Sequence, residues 1–436
     1  MYKPRIGHLL VIALIAPAPY ARSAGFIEDS KASVLMRNFY IDQDTRNQNS
    51  PSTQEWGQGF IFNYQSGFTQ GTVGFGLDVL GLYAQRLDDG GNADKSGISR
   101  KPGSTFPTDD GHAVNDFGRV GVTGKIRISK TVAQIGTLQP KLPVLIYNDG
   151  RILPQTFNGV QITSRELERF TFIGGRLDSV QNRNSSGSDR MTISSSAKGS
   201  SNNFSYGGVD FNASKDTKLQ YYYAKLEDFY QQHFFGLIND TSLPVGSLRT
   251  DLRYFRSVSD GANGNAAGRA DGFVSGGYYG NGVTTGKVDS KLWSGMLTYS
   301  LQGHAFSAGY QQASGNSDFP RINSGDGQSL YLITNAQLNK FANSGERTWV
   351  GGYSYDFKEV GLDGLKFKAA YFSGDHIHAQ GTNNKEFERN LRLDYVVPSG
   401  PLKGVGLTYM NAMLRGNDTA DKDENRVVLS YTLALF

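Results

Sequence analysis

Two basic side chains, Lys125 and Arg127, lie two positions apart in the run Val122–Thr131, which reads VTGKIRISKT. In a β-strand both would point to one face, because successive side chains alternate between the two faces. The opposite face would be apolar and would carry Val120, Val122, Ile126 and Ile128. Arginine can hold a carboxylate through two parallel hydrogen bonds, and lysine attracts it as a point charge. The pair is therefore a candidate for binding anions in succession along one strand.

A strand with one wet face and one apolar face fits two kinds of protein. In a soluble sandwich the apolar face packs into a core and the charged face meets solvent. In a membrane barrel the apolar face meets lipid and the polar face lines a water-filled lumen. The alternation of Gly118–Leu138 fits both settings, so the rest of the chain must decide between them.

The N-terminal segment has the order of a targeting signal. Lys3 and Arg5 precede the apolar stretch Leu9–Ala18, which is too short and too interrupted by proline to span a membrane as a helix. Small residues follow up to Ala24. This order is typical of a secretory signal peptide, and the alternative is a disordered soluble tail. The sequence predicts a signal peptide at residues 1–24 and one domain at residues 25–436.

Composition narrows the class of protein further. The chain holds 54 glycines, 12% aromatic residues and no cysteine. The first 24 residues hold three basic side chains and no acidic one, so the rest carries 41 basic and 40 acidic residues and gives no sign of a nucleic-acid partner. No apolar run of about 18 residues follows the signal, which excludes helical membrane spans. A glycine-rich, aromatic-rich chain with alternating segments is typical of a transmembrane β-barrel.

Short alternating segments recur along the whole chain. Residues 25–436, at about 10 residues per strand plus turns and loops, allow ~16–18 strands. A closed barrel of that width has an aqueous interior unless loops fill it. The predicted strands are Val34–Tyr40, Trp56–Tyr64, Val73–Tyr83, one within Gly118–Leu138, Arg165–Arg176, Ser205–Asn212, Lys218–Leu226, Leu248–Arg256, Ser290–Leu301, His304–Gln312, Thr348–Phe357, Leu365–Phe372, Leu391–Val397, Leu407–Leu414 and Arg426–Phe436.

Several of these strands place further cations on the face opposite their apolar side chains. Lining a lumen, they would raise the local concentration of anions. Solvated on a wet face, they would simply pair with nearby acids. These candidates are Arg37, Arg253, Arg392, Lys366 and Lys368.

One loop differs in kind from the others. Pro140–Gly159 carries three prolines, lacks period-2 alternation and contains the turn sequence Asn148-Asp149-Gly150. It is too apolar for an ordinary surface loop, so we expect it to fold into the barrel and narrow the channel. The polar loops Asp88–Ala113, Asp260–Gly286 and part of Ser314–Asn343 are expected outside the membrane.

Several fragments together resemble the OprD family of substrate-specific outer-membrane porins. The clearest are RISKT at Arg127–Thr131 and SGFTQGTVGFG at Ser66–Gly76. Others run from near the predicted mature start to the last strands: FIEDS at Phe26–Ser30, RNFY at 37–40, LPQT at Leu153–Thr156, LEDFY at Leu226–Tyr230 and SGP at Ser399–Pro401. The stretch Tyr147–Phe157 is more similar to the branch associated with aromatic and other cyclic carboxylates than to the basic-amino-acid branch.

The resemblance implies an all-β fold: a transmembrane antiparallel barrel of about 18 strands with loops folded into the lumen. It implies passive uptake of small carboxylates along a ladder of basic side chains, to which Lys125 and Arg127 belong. Arg151, Tyr147 and Asp149 match the constricting loop, and a second such loop is expected at Gly325–Leu330. That loop would supply Asp326 and Ser329, which with Asp149 would form an acceptor side opposite the ladder.

The implied setting is the bacterial outer membrane, with lipid, lipopolysaccharide and the barrel-assembly machinery as partners. The channel would be monomeric or loosely trimeric and would need no cofactor or metal. The chain departs from the family at Leu407–Leu414, which lacks the basic residues that some relatives show there, and at Lys125, where an arginine is also common.

Other functions find less support in the sequence. A less selective general porin would share the same barrel. An outer-membrane barrel enzyme needs a nucleophile or a carboxylate pair, and no GxSxG motif or serine–histidine pair stands out. The pair His376 and His378 lies in a loop without further ligands, so we interpret it as a chance occurrence rather than a metal site. A structural or adhesive barrel is the remaining alternative.

Overall fold

The computed structural model describes residues 25–46, 52–88, 102–194, 198–276, 285–323, 329–378, 384–417 and 419–436. The predicted signal peptide at residues 1–24 lies outside the described residues, as does Asp326. In the part of the chain that is described, no helix is long and apolar enough to cross a membrane.

Strands dominate the described residues. In chain order they are β1 Lys31–Thr45, β2 Thr53–Gln65, β3 Val73–Arg86, β4 Thr108–Asp109, β5 His112–Ala113, β6 Asp116–Ile128, β7 Thr131–Leu138, β8 Lys141–Leu142, β9 Leu145–Ile146, β10 Thr156–Ser164, β11 Phe170–Gln181, β12 Phe204–Asn212, β13 Thr217–Leu226, β14 Tyr230–Ser242, β15 Ser247–Ser259, β16 Asp289–Leu301, β17 His304–Gly315, β18 Arg347–Asp356, β19 Leu365–Asp375, β20 Glu386–Val396, β21 Gly406–Gly416 and β22 Lys422–Ala434. Two short helices, α1 Gly261–Gly264 and α2 Ala266–Ala270, and a 3-10 helix at Phe357–Val360 complete the set.

Eighteen of these described strands form one closed antiparallel barrel. The first strand, β1, pairs with β2 on one side and with the last strand, β22, on the other. The small hairpins β4–β5 and β8–β9 lie outside this sheet, in the loops that follow β3 and β7. Closure removes every sheet edge, so no row of backbone N–H and C=O groups is left unpaired in the membrane. The predicted architecture is confirmed.

The two faces of β6 follow the predicted parity. Val120, Val122 and Ile128 are 71%, 49% and 52% exposed on the outside. Arg119 and Thr123 point the other way and are only 8% and 5% exposed. Because side chains two apart share a face, Lys125 and Arg127 lie on the lumen side with Arg119 and Thr123.

The prediction was wrong around β10 and β11. The predicted loop Pro140–Gly159 runs into a strand that begins at Thr156, and the predicted strand Arg165–Arg176 begins only at Phe170. A register shift at Asn158/Gly159 breaks the alternation of β10 against its neighbour, which hides its period in the sequence. Arg169 adopts a left-handed conformation in the turn between the two strands, with φ +68°. A further strand, β14 Tyr230–Ser242, was also missing from the predicted set.

The lumen is not empty, because loops from one end fold into it. The loop at 139–155 (the inward loop) and the loop at 316–346 (the second inward loop) bring Leu145, Phe319 and Leu332 into one buried cluster with the barrel residue Phe234. The described end of Asp88–Ala113 also turns inward, since Phe106 is fully buried against the barrel wall. The described end of Asp88–Ala113 is therefore lumenal, which corrects the expectation that this loop extends outside; for Ser314–Asn343 only a part was expected outside.

The barrel has one end of short turns and one end of long loops, which predicts its orientation in the membrane. Such barrels keep short turns in the periplasm and long loops outside. An epitope inserted between Gly264 and Asn265, both exposed in the loop after β15, should be labelled by antibody on intact cells. A matched insertion between Gly400 and Pro401, both exposed in the turn between β20 and β21, should be labelled only after permeabilisation. The reverse pattern would contradict this orientation.

Candidate functional site: the channel constriction and its basic arc

The turn Tyr147–Arg151 (the constriction turn) is held in shape by its own loop. The backbone N–H of Tyr147 donates to the carbonyl of Pro140 at 2.8 Å. Asn148 exchanges two bonds with Gln155: its carbonyl accepts from the Gln155 N–H at 2.7 Å, and its own N–H donates to the Gln155 side chain at 3.1 Å. The Asn148 side chain then accepts from the Gly150 N–H at 3.0 Å. These bonds within the loop fix the shape of the turn without help from the barrel wall.

Two arginines of the wall clamp this turn. The Arg37 guanidinium meets the Asp149 carboxylate in two bonds, Nη1–Oδ1 at 2.8 Å and Nη2–Oδ2 at 3.3 Å. Its Nη1 also donates to the Arg151 carbonyl at 2.8 Å. Arg426 of β22 donates to the Gly150 carbonyl at 3.3 Å. Arg37 is thus a clamp for Asp149 in this state, rather than the free cation that the strand pattern suggested.

The predicted second constricting loop meets the first. Ser329 donates from Oγ to the Asn148 side-chain oxygen at 3.4 Å, which brings the two inward loops together at the constriction turn. Tyr147 is partly buried against the cluster between these loops, and Lys141 Nζ lies 5.5 Å from its ring centroid. Tyr147, Asp149 and Ser329 are therefore assembled at one place, as the sequence predicted.

Arg151 does not present its charge to the channel. Its side chain is buried, and its guanidinium donates to the Ser104 hydroxyl and to the Gly150 carbonyl, each at 3.0 Å. Ser104 belongs to the loop after β3, so Arg151 ties that loop to the constriction turn. Arg151 was predicted to bind substrate at the constriction; in the structure it lines the pocket beside Asp149, while its guanidinium holds the turn to the loop after β3.

Arg119 is an anchor that sequence reasoning did not single out. It donates to the carbonyls of Asn182 at 2.9 Å, Ser185 at 2.5 Å and Pro154. One guanidinium thereby fastens the inward loop and the loop after β11 to β6. The alternation of the strand places Arg119 on the same face as Lys125 and Arg127, and this could be seen in the sequence. Its carbonyl partners could not, because they are more than 30 residues away along the chain.

Lys125 is paired rather than free. Its Nζ lies 2.5 Å from Asp78 Oδ1 and donates to the Ser66 carbonyl at 2.9 Å, and its side chain is only 10% exposed. Asp78 is on the neighbouring strand β3, in register with Thr123. Lys125 faces the lumen as predicted, but its charge is locally balanced.

Arg127 and Lys368 are exposed cations of the basic face that lack a carboxylate partner in the described part of the chain. The Arg127 guanidinium lies 4.4 Å from the ring centroid of Phe68, an arrangement that leaves its N–H groups available to an anion. Neither Arg127 nor Lys368 has a carboxylate within 4.0 Å among the residues that the structure describes. Lys366, by contrast, lies 2.9 Å from Asp356 at the short-turn end.

Arg392 is paired with a carboxylate and is also partly exposed to the lumen. Its guanidinium pairs with Asp394 through two bonds of 2.7 Å, yet 42% of its side chain remains exposed. Arg392 shares a pocket of about 250 Å³ with Arg37 and Arg426, directly beside Asp149 and Gly150. Arg151 also lines this pocket, so four arginines meet at the edge of the constriction.

Lumen-facing cations on five strands of one side of the barrel form an arc, here called the basic arc; β21, β2 and β3 lie between some of these strands. Around the barrel it runs through β19, β20, β22, β1 and β6 and consists of Lys366, Lys368, Arg392, Arg426, Arg37, Lys125 and Arg127.

Arg253 lies across the lumen from this arc, with β16–β22 between it and β1. It pairs with Asp251 through bonds of 2.8 and 2.6 Å and lies 3.9 Å from the ring centroid of Tyr331. Arg253 therefore supports the second inward loop, and its assignment to the ladder is corrected.

Buried carboxylates hold the loops inside the barrel. Glu55 accepts from the backbone N–H groups of the loop after β3, including that of Thr105 at 2.6 Å. Glu388 accepts from the N–H groups of Leu338 and Asn339 at 2.9 and 2.8 Å. Glu424 accepts from the Gln337 side chain at 2.7 Å. None of these carboxylates stood out in the sequence, because they function through loops far away along the chain.

Glu346 completes this set at the end of the second inward loop. Its Oε2 accepts from the Asn343 backbone and side chain, each at 3.0 Å. Burial, and then the nearby Glu386 carboxyl, raise the pKa of Glu346 well above its usual range. In the same loop, burial lowers the pKa of Lys340 to about 7.

A comparison with protein families identifies this architecture. Residues 24–435 match the family described as outer membrane porin, OprD family. The chain belongs to the OprD family. It is an outer-membrane porin, and its family consists of channels rather than enzymes. The resemblance noted in RISKT and SGFTQGTVGFG is thereby confirmed.

Named relatives fit this assignment. The chain is 34% identical to the porin-like protein GalP of Pseudomonas putida over 97% of each chain. It is 30% identical to Porin D of Pseudomonas aeruginosa, covering 95% of this chain and 93% of that one.

Solved structures agree closely with the OprD-family fold. The crystal structure of Pseudomonas aeruginosa OccK8 (OprE) has a TM-score of 0.88 and 50% identity over 95% of this chain and all of that one. The crystal structure of OpdK with vanillate, from the same organism, has a TM-score of 0.83 and 33% identity over 94% of this chain and all of that one.

The clamp between Arg37 and Asp149 predicts a change in ion selectivity. Asp149→Asn keeps the size of the side chain and removes its charge, so Arg37 loses its ionised partner and the constriction becomes more positive. We expect the chloride-to-potassium permeability ratio, from reversal potentials in planar bilayers, to increase. Asp216→Asn, in the exposed turn between β12 and β13, is the matched control and should leave the ratio unchanged. An equal ratio in wild type and Asp149→Asn would show that Asp149 does not influence the ion path.

The raised pKa of Glu346 predicts a pH-dependent packing of the second inward loop. The stabilisation that protonated Glu346 gives the packed loop is fully present below the ordinary carboxyl pKa of 4.5. It is lost as the pH rises through the raised pKa. The pKa of Lys340 is about 7, so in the packed loop Lys340 begins to lose its proton only as the pH approaches 7. Single-channel current should fluctuate more as pH rises from 4.5 towards neutrality.

Glu346→Gln, which cannot ionise, should remove the part of this pH dependence that comes from Glu346 and leave a smaller one close to neutrality. Glu359→Gln, at an exposed site in the 3-10 helix, is the control and should behave as wild type. A wild-type record that is equally quiet across the range would contradict the assignment.

Proposed function

We propose that this porin takes up small carboxylate-bearing nutrients passively and selectively along the basic arc. The observation that carries the proposal is the position of the arc: its three arginines Arg37, Arg392 and Arg426 lie at the edge of the constriction, and the exposed cations Lys368 and Arg127 follow. An anion that passes Arg392 at the constriction meets another cation on the adjacent strand, because Arg392 is in register with Lys368. Such a track lowers the energy of anions throughout the lumen.

The pairing of most cations suits a channel better than a binding protein. Arg37, Arg392 and Lys125 each lie against an aspartate, so a passing carboxylate competes with an internal partner and leaves again easily. Conduction requires binding that is favourable enough for a solute to enter and weak enough for it to leave. Arg127, without such a partner among the described residues, is the site where a carboxylate should bind longest.

Aromatic or other cyclic carboxylates are the proposed substrate class. Tyr147 at the constriction and Phe68 beside Arg127 place aromatic faces next to the anion path. The related OpdK is known in a structure with vanillate, an aromatic carboxylate. The alternative is a less selective general porin, which would pass neutral and anionic solutes of one size at equal rates.

The setting of the channel extends the proposal. Lys291 and Arg347 lie exposed on the outer face near the long-loop end, two residues from the outward-facing Trp293 and Trp349. Cations just beyond an aromatic girdle suit the phosphates of lipopolysaccharide.

We further propose that residues 1–24 are removed on export, that the barrel-assembly machinery inserts the chain, and that each monomer conducts alone or in a loose trimer. Mass spectrometry of the purified protein reports its first residue and any retained lipopolysaccharide.

Arg127 gives the sharpest test of the anion path. Replacing Arg127 by Ala removes one charge-assisted hydrogen bond, so uptake of benzoate at low concentration should fall by about one to two orders of magnitude. Uptake of benzyl alcohol, a neutral solute of similar size, should change little. Arg127→Lys should be intermediate, because it keeps the charge and loses the two-bond geometry. Lys215→Ala, at a cation 89% exposed in a turn outside the lumen, is the control.

Equal losses for benzoate and benzyl alcohol in Arg127→Ala would mean that Arg127 shapes the pore instead of guiding anions. Equal uptake of the two solutes by wild type would favour the general porin.

A further inference from the structure

A second polar site lies on the lumen wall, between the inward loop and the short-turn end. Its centre is a row of side chains in register across three strands: Gln161 of β10 is opposite Gln134 of β7, which is opposite Lys125 of β6. Gln65 of β2 is opposite Asp78 of β3 in the next part of the wall. The start of the inward loop closes the site from above with Gln139.

Apart from Lys125, these residues line a pocket of about 210 Å³, here called the amide pocket. One water needs only about 10–15 Å³ of such space, so the pocket has room for part of a small solute. Its lining is mostly polar and consists of Asn63, Gln65, Asp78, Thr123, Gln134, Thr137, Gln139 and Gln161, with Leu80, Leu138 and Pro140 among its apolar members.

The amides of this pocket are largely unused by the protein. Gln161 donates weakly to the Gln134 oxygen at 3.5 Å and accepts from the Tyr206 hydroxyl at 3.0 Å. That leaves the Gln134 amide nitrogen without an acceptor in the described part of the chain. Within the same described residues, the side chains of Asn63, Gln65 and Gln139 have no hydrogen bond to protein atoms. Several donors and acceptors therefore converge on one pocket and remain available.

The charge of the pocket does not favour anions. Lys125 and Asp78 are only 2.5 Å apart, so their charges cancel locally. What remains is a set of neutral amides, each with an acceptor oxygen and a two-proton donor nitrogen. A hydroxyl group, which both donates and accepts, matches such a set better than a carboxylate or an apolar ring.

We propose that the amide pocket binds the hydroxyl groups of solutes passing from the constriction to the periplasm. The channel would then favour polyhydroxylated cyclic carboxylates over carboxylates with a bare ring. This preference rests on the proposed function for the carboxylate, whereas binding of hydroxyl groups by the pocket stands on its own.

The test uses the full-length porin and two carboxylates on the same six-membered ring, quinate with hydroxyl groups and cyclohexanecarboxylate without them. The double variant Gln134→Met, Gln161→Met keeps two unbranched side chains and removes both central amides. Uptake of quinate at low concentration should fall about 3- to 10-fold, as expected for the loss of one or two net neutral hydrogen bonds. Uptake of cyclohexanecarboxylate should stay at the wild-type level. Gln43→Met, which removes a glutamine of β1 outside the pocket, should alter neither.

A neutral polyol separates this proposal from the proposed function. In planar bilayers, the concentration of myo-inositol that halves the salt current should rise about 3- to 10-fold in the double variant, whether or not the channel selects anions. Current in salt alone shows that each variant has folded into an open pore, and the single variants replace the double one if it has not.

Unchanged quinate uptake and unchanged inositol block in the double variant would overturn the amide pocket, as would equal losses of both carboxylates. If wild type does not distinguish cyclohexanecarboxylate from neutral cyclohexanol, the proposed function fails, and the inositol measurement still decides the pocket.

Discussion

Satisfaction of backbone hydrogen bonds within the membrane is the constraint on which this structure depends. A strand that crosses lipid must pair on both sides, and pairing of β1 with β22 meets that demand for the whole sheet. A closed sheet of this width encloses a wide interior. A selective channel of this width therefore needs part of its lumen to be occupied. The loops after β3, β7 and β17 fold inward and occupy it.

Once loops enter the lumen, their backbone groups need partners there. The wall supplies acceptors and donors at fixed positions: Glu55 and Glu388 accept loop N–H groups, and Arg119 donates to loop carbonyls. A buried unpaired peptide group is costly, so each of these side chains compensates a specific loop segment. The charges that anchor the loops are thus as much a part of the channel as the cations that face the solute.

The arginines of the lumen wall have three different roles, which cannot be told from the residue type alone. Arg37 clamps the constriction turn, Arg119 anchors loops, and Arg127 faces the aqueous path with an aromatic neighbour. Only the last of these has most of its hydrogen-bonding capacity left for a solute. The selectivity of the channel therefore depends on which aspartate or carbonyl each cation meets, more than on how many cations there are.

Local pattern determined the barrel and its faces, because alternation is a property of neighbouring residues and survives in any strand of this class. It predicted the lumen side for Lys125 and Arg127 and, through the resemblance, the meeting of Tyr147, Asp149 and Ser329. It did not show that Lys125 pairs with Asp78, that Arg253 lies under Tyr331, or that Arg151 is buried behind the turn. Those outcomes depend on contacts with other strands and loops, and only the closed barrel brings these groups within hydrogen-bonding distance.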